Sequence, residues 1–275
     1  MADMKRCLFL FAILISLATS AAAWAAPRAV LWERWADSDD SASLTVDHSL
    51  WSGFLATYVI AGDDGINRVR YGRVSDSDRA ALERYLTLLS DTPVGRLSRP
   101  EQLAFWINLY NALTVRMVLD NYPVDSIRAI RSGIFSSGPW GRALIAVESV
   151  EITLDDVEHR ILRPLWRDPR LHYALNCASL GCPNLQRQAF TAGNANTLMN
   201  MAARDFVNHP RGVQIDGETA IVSSIYDWFA SDFGGDMKSI IAHLTQYADA
   251  DLAAALKRVT EFRYGYDWDL NDAAD

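Results

Sequence analysis

One long apolar segment most constrains how this chain can fold: QLAFWINLYNALTVRMVLDNY, residues 102–122. Few charges interrupt it, so as a helix it is apolar nearly all round and must be covered on every side. Ser98 to Glu101 predict its start, as a capping box with an early proline, and Pro123 predicts its end. We therefore predict a buried central helix.

The flanking segments predict the elements that cover this helix. Helices are expected near 47–60, 75–91, 153–163, 191–207, 237–247 and 250–258, and strands near 65–74, 143–154, 171–176, 212–223 and 259–268. The dipeptide Asp216-Gly217 predicts a hairpin turn. No repeat or linker divides the chain, so residues 26–275 are predicted to form a single α+β domain with the central helix packed on a small, mainly antiparallel sheet.

The first residues are typical of an export signal. Lys5 and Arg6 precede a short apolar run, and the small residues around Ala23–Ala25 follow as a cleavage site. The run is too short to span a bilayer comfortably. We expect residues 1–25 to be a signal peptide and the mature chain to be periplasmic or secreted, without stable membrane insertion. An uncleaved anchor is the alternative interpretation.

The charge of the chain bears on its partners. The formal net charge is −8, and no basic stripe is present. An acidic protein repels nucleic acid and anionic lipid surfaces. We therefore expect no nucleic-acid partner, and we expect a small-molecule or peptide substrate.

The stretch HYALNCASLGCPNL, residues 172–185, concentrates the chemically active residue types. Cys7 lies in the predicted leader, so Cys177 and Cys182 are the cysteines of the mature chain. A disulfide between them fits an oxidising compartment. Alternatively, Cys177 is a nucleophile, which needs a lowered thiol pKa supplied by a histidine or a helix N-terminus. A zinc site lacks a second spaced Cys/His pair, so we predict neither a metal nor a cofactor.

Two histidines compete as the base for Cys177. If residues 171–176 form a regular strand that continues to Cys177, alternation places His172 on the opposite face from the sulfur. His159, on a predicted docking helix, is then the preferred base. If the strand ends at Asn176, His172 is again a candidate. A lone histidine on such a helix is also common as a structural residue.

Asn108 and Asn111 lie three residues apart and share one face of the central helix. One of them can orient the catalytic histidine or donate a hydrogen bond to an oxyanion. Alternatively, both brace neighbouring loops, because a buried amide without partners costs about 1–3 kcal/mol.

Five ordered segments resemble the domain-of-unknown-function 547 family over about residues 95–271: LAFWINLYNALTV, EHRILR, HYALNCASLGCPNL, YDWFASDF and YGYDWDLN. The resemblance implies that the first cysteine is the more regular of the two, which favours a role for Cys177 without Cys182. Some relatives carry a glutaredoxin-like module beside this domain. By position, the family's motif residues are Asn108, Tyr110, Asn111, His159, His172, Cys177, Cys182, Pro183, Asp267, Trp268 and Asn271.

The resemblance also suggests an analogy with papain-like or transglutaminase-like folds, in permuted order because both histidines precede Cys177. The preferred function is a thiol-dependent hydrolase or acyltransferase that acts on an amide or ester. A non-catalytic binding or scaffold domain stapled by a Cys177–Cys182 disulfide is one alternative. A thiol–disulfide module is the other, although redox pairs are more often spaced as C-x-x-C.

Overall fold

Helix α3, Arg99–Asn121, is the central element of the computed structural model, which describes residues 27–131 and 138–273. Its side chains are buried without a break from Gln102 to Val115, so the predicted buried helix is confirmed. The predicted capping box does not form, because the Ser98 side chain makes no capping hydrogen bond. The predicted signal peptide lies outside the described residues.

Helices provide most of the cover around α3. Helix α2, the π-helix and α6 contact it directly, and α1 packs on α2. The helices besides α3 are α1 (Ser49–Tyr58), α2 (Asp76–Ser90), a π-helix (Asp156–Leu162), α4 (Arg163–Trp166), α5 (Leu171–Ala174), α6 (Ala195–Val207), α7 (Ile225–Trp228), α8 (Met237–Tyr247) and α9 (Ala250–Leu256). Short 3-10 turns cover Glu33–Trp35, Tyr71–Arg73, Val94–Arg96, Ile127–Ala129 and Ala230–Phe233.

The described strands form three small sheets. They are β1 (Val59–Ala61) with β2 (Asn67–Val69), β3 (Ile145–Val147) with β4 (Val150–Ile152), and β5 (Val213–Asp216), β6 (Thr219–Ser223) and β7 (Glu261–Gly265) in that order. Only β6 and β7 pair in parallel. The predicted hairpin turn is present, and Gly217 supplies its positive φ of 63°. The fold is α+β with mainly antiparallel strands, as predicted.

Two apolar clusters divide the interior. The larger surrounds α3, and the smaller joins α6, α8 and the β5–β7 sheet. Helix α5 lies between them, because Leu171 and Ala174 belong to the larger cluster and Tyr173 to the smaller. The Tyr173 hydroxyl lies 2.8 Å from His243 Nε2, so its polar end is satisfied inside the smaller cluster. The residues that follow α5 carry the two cysteines.

The prediction of a strand at 171–176 is wrong. Leu171–Ala174 form the helical turn α5, and Leu175 is the first extended residue after it. Every side chain from 171 to 176 is buried, so the sequence pattern could not separate two faces. The alternation that placed His172 opposite Cys177 therefore does not hold.

Two other element boundaries differ from expectation. The helix predicted to stop before Pro164 continues to Trp166, because Pro164 falls in the first turn of α4, where its missing N–H is tolerated. Helix α6 begins at Ala195 instead of Thr191. Thr191 and Asn194 exchange hydrogen bonds of 2.7 and 3.2 Å between side chains and backbone, the reciprocal pattern of a capping box, so one turn capped by Thr191 precedes the regular helix.

We predict that Asn108→Ala lowers the free energy of unfolding by about 2–4 kcal/mol, because two buried backbone groups lose their partners. The Asn108 amide donates to the Phe190 carbonyl at 2.7 Å and accepts from the Phe190 N–H at 3.0 Å. Asn121→Ala, at the exposed end of the same helix, is the control and should cost about 0.5 kcal/mol or less. Urea denaturation followed by circular dichroism measures both, and equal losses would contradict the prediction.

Candidate functional site

Two free sulfurs form the centre of the candidate site. The Sγ atoms of Cys177 and Cys182 are 2.6 Å apart. This is longer than a disulfide bond of about 2.0 Å. Cys177 is half-buried, whereas Cys182 is only 5% exposed. No disulfide is seen in this structure. The two sulfurs are nevertheless closer than the van der Waals contact of two non-bonded sulfurs, so they lie within immediate reach of disulfide formation, and the staple interpretation stays a prediction.

Asn176 shapes the loop between the two cysteines. Its Nδ2 donates to the Pro183 carbonyl at 2.8 Å, and its Oδ1 accepts the Ala178 N–H at 2.9 Å. One side chain thus ties both ends of the loop. Ala178 has a φ of 61°, in the left-handed region, so the chain reverses directly after Cys177. These constraints bring the two sulfurs together across five positions of sequence.

The segment after β7 holds the outer side of this loop. The Leu180 N–H donates to the Asp269 carbonyl and the Gly181 N–H to the Asp267 carbonyl, both at 2.8 Å. A Cβ at Gly181 would lie 2.7 Å from the backbone N and O of Asp267, so a larger residue does not fit there. This pairing positions Tyr266 beside the sulfurs.

Hydroxyl and amide donors surround the two sulfurs. The Tyr266 hydroxyl lies 3.2 Å from Cys182 Sγ and 3.1 Å from Cys177 Sγ. The Cys177 N–H donates to Cys182 Sγ at 2.9 Å, and the Ser179 hydroxyl lies 3.2 Å from Cys177 Sγ. An anionic sulfur in this position is therefore hydrogen-bonded from several directions.

These hydrogen bonds separate the pKa values of the two thiols. Burial alone raises the pKa of Cys182, but hydrogen bonds from the Cys177 thiol, the Tyr266 hydroxyl and the Cys177 N–H outweigh burial and lower this pKa to about 7. The pKa of Cys177 is raised well above its usual value, chiefly because its thiol donates to Cys182 and also because partial burial disfavours the thiolate. Because the two sulfurs interact, the pair as a whole loses its first proton near pH 7, and the hydrogen bonds favour the thiolate on Cys182.

The two predicted histidine bases lie in a separate cluster of charged side chains. His172 Nε2 lies 2.8 Å from Asp232 Oδ2, and its ring stacks on Phe229 with centroids 4.1 Å apart. Arg163 Nη1 donates to His159 Nδ1 at 3.0 Å. Since an arginine can only donate, Nδ1 of His159 is the unprotonated ring nitrogen.

Burial and neighbouring charges determine the protonation states of the histidines and carboxylates in this cluster. Glu158 Oε1 lies 4.0 Å from His159 Nδ1 and 3.8 Å from His172 Nδ1. Burial lowers the pKa of His159 to about 4, although Asp155 opposes this shift. Burial would raise the pKa of Asp232, but hydrogen bonds from His172 and an arginine hold it well below its usual range. His159 is therefore neutral at neutral pH.

The structure does not bring either histidine to the nucleophile. In the parts of the chain that the structure describes, the hydrogen-bond partners of Cys177 Sγ are two hydroxyls and the sulfur of Cys182. His159 and His172 instead share carboxylate neighbours with each other. A role for either histidine as the base of Cys177 stays a prediction, and strand alternation no longer selects between them.

Asn108 and Asn111 both bind main chain. Asn111 Nδ2 donates to the Ala174 carbonyl at 2.9 Å, and its Oδ1 accepts the Asn176 N–H at 2.9 Å. Asn108 makes the equivalent pair with Phe190. The geometry is that of the bracing alternative, and a direct catalytic role for these amides stays a prediction. Asn111 nevertheless matters to the site, because it anchors the residue that shapes the cysteine loop.

Sequence reasoning missed two residues that contact the sulfurs, Tyr266 and Ser179. Both fall inside quoted motifs, but Tyr266 lies 89 positions from Cys177. No local spacing could have joined them. Asn271, in the same terminal motif as Tyr266, donates to Asn176 Oδ1 at 3.3 Å. The terminal motif is therefore part of the dithiol site.

Neither a metal centre nor a membrane span is evident over residues 27–131 and 138–273. Within these ranges no group of three or more His, Cys, Asp or Glu side chains is arranged to hold a metal ion. Likewise, the helices there are too short or too polar to cross a bilayer.

Comparison with known proteins gives one match. A family model described as "Protein of unknown function, DUF547" matches residues 94–207. No curated protein and no solved structure matches the chain. The matched range contains α3, both histidines and both cysteines, whereas Tyr266 lies outside it. A papain-like or transglutaminase-like core stays a prediction.

We predict that Tyr266→Phe raises the thiolate midpoint of the pair by about one pH unit, because a hydrogen bond to a charged sulfur is lost. In the unchanged protein this midpoint is expected near the Cys182 pKa of about 7. The thiolate absorbance of the reduced protein, followed across pH, measures it. Tyr264→Phe is the matched control, since Tyr264 is 45% exposed and lies two residues earlier. Equal midpoints in the two variants would contradict the prediction.

Proposed function

Because this chain belongs to the DUF547 family through residues 94–207, a family of unknown function, we propose its activity from the site itself: reversible thiol–disulfide exchange by Cys177 and Cys182. The observation that carries the proposal is the 2.6 Å separation of two free sulfurs, because a disulfide between them needs only a small movement. The pKa of about 7 at Cys182 supports it, since the pair supplies a thiolate at neutral pH.

The exchange proceeds in two balanced steps. The Cys177 proton passes to Cys182, and the Cys177 thiolate attacks one sulfur of the substrate disulfide. A mixed disulfide forms, and the first substrate thiol leaves with a proton from solvent. Cys182 then loses its proton and attacks Cys177 Sγ, which forms the Cys177–Cys182 disulfide and releases the second substrate thiol. Two electrons pass from the dithiol to the substrate, and the reverse sequence oxidises a substrate dithiol.

The difference in exposure indicates which of the two sulfurs attacks the substrate first. Cys177 is half-buried and can meet a substrate, whereas Cys182 is 5% exposed. Attack at the outer sulfur and resolution by the inner sulfur follow from this difference. The Tyr266 hydroxyl lies within 3.2 Å of both sulfurs, so it stays within reach of the charge as that charge moves between them.

A hydrolase or acyltransferase receives less support from the same geometry. Such an enzyme needs a base within hydrogen-bond reach of its nucleophile. The side chains around Cys177 Sγ supply hydroxyls and a second thiol instead. A purely structural staple also fits less well, because a staple needs neither a half-buried sulfur nor a lowered pKa at its partner.

We also propose that the protein acts outside the cytoplasm. The charged start, the short apolar run and the small residues at Ala23–Ala25 support an export signal. Exported compartments are oxidising, and there a dithiol of this kind meets disulfide substrates.

The proposal predicts distinct products for the two single cysteine variants. Reduced protein is mixed with a small disulfide, quenched with acid and digested with trypsin. Both cysteines are released in one peptide, 171–187, because Arg170 and Arg187 bound it. The unchanged protein should yield an internal disulfide, which lowers the peptide mass by two hydrogens. Cys182→Ser should stop at the mixed disulfide on Cys177, and Cys177→Ser should react at least about tenfold more slowly because its remaining sulfur is buried.

The control is Ser179→Ala, which removes a hydroxyl beside Cys177 and keeps both sulfurs. It should still reach the internal disulfide, at a slower rate. Faster reaction of Cys177→Ser than of Cys182→Ser would reverse the assigned order. Failure of the unchanged protein to form the internal disulfide would sink the exchange proposal.

A further inference from the structure

A cluster of partly exposed aromatic rings borders the dithiol. Trp228, Tyr266 and Trp268, with Trp140 at the edge, are here called the aromatic platform. Ring centroids are 4.6 Å apart for Tyr266 and Trp268, 4.8 Å for Trp228 and Tyr266, and 5.9 Å for Trp140 and Trp268. All four rings are half-buried. The platform touches the site directly, because the Tyr266 hydroxyl contacts both sulfurs.

Half-buried tryptophans also occur elsewhere, at Trp32 and Trp166, but the platform is where such rings gather side by side. Trp35, Trp51 and Trp106 are each no more than 2% exposed. Burial of apolar surface stabilises a fold by about 25 cal/mol per Å². Rings that forgo this stabilisation and gather at one place are typical of a binding surface. The platform lies beside Cys177, the half-buried cysteine of the pair, which makes it the place where a substrate would lie.

The charges around the platform are mainly negative. Asp227 precedes Trp228, and Asp267 and Asp269 flank Trp268; all three carboxylates are exposed. Aromatic faces attract cations within about 6 Å of the ring centroid, and nearby carboxylates strengthen that attraction. One cation of the chain already shows this geometry, since the Arg128 guanidinium lies 5.0 Å from the Trp268 ring centroid.

We propose that the aromatic platform binds basic side chains, so that the disulfide substrate is a cationic polypeptide. The argument rests on the proposed exchange activity, because the bound segment would present its disulfide to Cys177. An anionic small disulfide, such as glutathione disulfide, meets unfavourable charge here, both from the three carboxylates and from the net charge of −8. Aromatic rings and carboxylates together favour a ligand with positive charge and flat or extended side chains. A polypeptide segment can contact several of these rings at once.

Binding of sulfur-free peptides tests this inference without redox chemistry. Two peptides of equal length, one rich in lysine and one with glutamate at the same positions, are titrated into the full chain by calorimetry. The lysine peptide should bind at least about tenfold more tightly. Trp228→Ala should weaken its binding about tenfold, as expected for loss of a cation–π contact together with its ring packing. Trp166→Ala is the control, because Trp166 is also half-buried and lies near Arg99, away from the platform.

A double variant with only exposed substitutions keeps the test independent of folding. Asp227→Asn combined with Asp269→Asn changes only exposed side chains, and it should weaken the lysine peptide several-fold and flatten the salt dependence of binding. Equal affinity for the two peptides, no binding of either, or equal effects of Trp228→Ala and Trp166→Ala would overturn the inference. Because the peptides carry no sulfur, these outcomes do not depend on the exchange reaction. Loss of exchange with binding intact would instead remove the proposed function.

Discussion

The candidate site depends on the hydrogen bonds of one buried amide, that of Asn176. Its side chain closes the cysteine loop through Ala178 and Pro183, and its own N–H is held by Asn111 on the central helix. Asn271 reaches the same oxygen from the terminal segment. A buried amide that loses a partner is costly, so the loss of any one of these bonds would destabilise the loop. The sulfurs meet because this one side chain couples the loop to the core and to the chain end.

Helix α5 explains why two polar clusters lie near each other without merging. His172, inside this turn, points into the cluster that contains Glu158 and Asp232, whereas Asn176, just after the turn, serves the dithiol. The charged cluster joins the π-helix, α4, α5 and the turn Ala230–Phe233 through paired groups. A buried charge is stable only when it is paired. The histidines thus have a structural reason to be where they are, independent of any reaction.

The sequence predicts those elements of the fold that have a clear hydrophobic period or a characteristic turn dipeptide. The apolar segment of α3 and the Asp216-Gly217 turn are local signals, and each is confirmed. The segment 171–176 was mistaken for a strand, since burial on every side removes any period. The cysteine pair was visible as a motif, but Tyr266 was not linked to it, because contacts between distant segments depend on packing that no local pattern encodes.

Because its hydrogen-bond donors are hydroxyls, this cysteine pair has a different thiol pKa from a cysteine paired with histidine. A neighbouring imidazolium can hold a thiolate at a pKa of roughly 3 to 4, where the sulfur is charged but weakly nucleophilic. At Cys182, neutral donors work against burial and leave the pKa at about 7. Thiols attack disulfides fastest when their pKa lies near the ambient pH. Cys182 is the attacking thiol of the second step, so its pKa near the ambient pH suits that step. The first attack instead needs the proton of Cys177, whose pKa is raised, to pass to Cys182 beforehand.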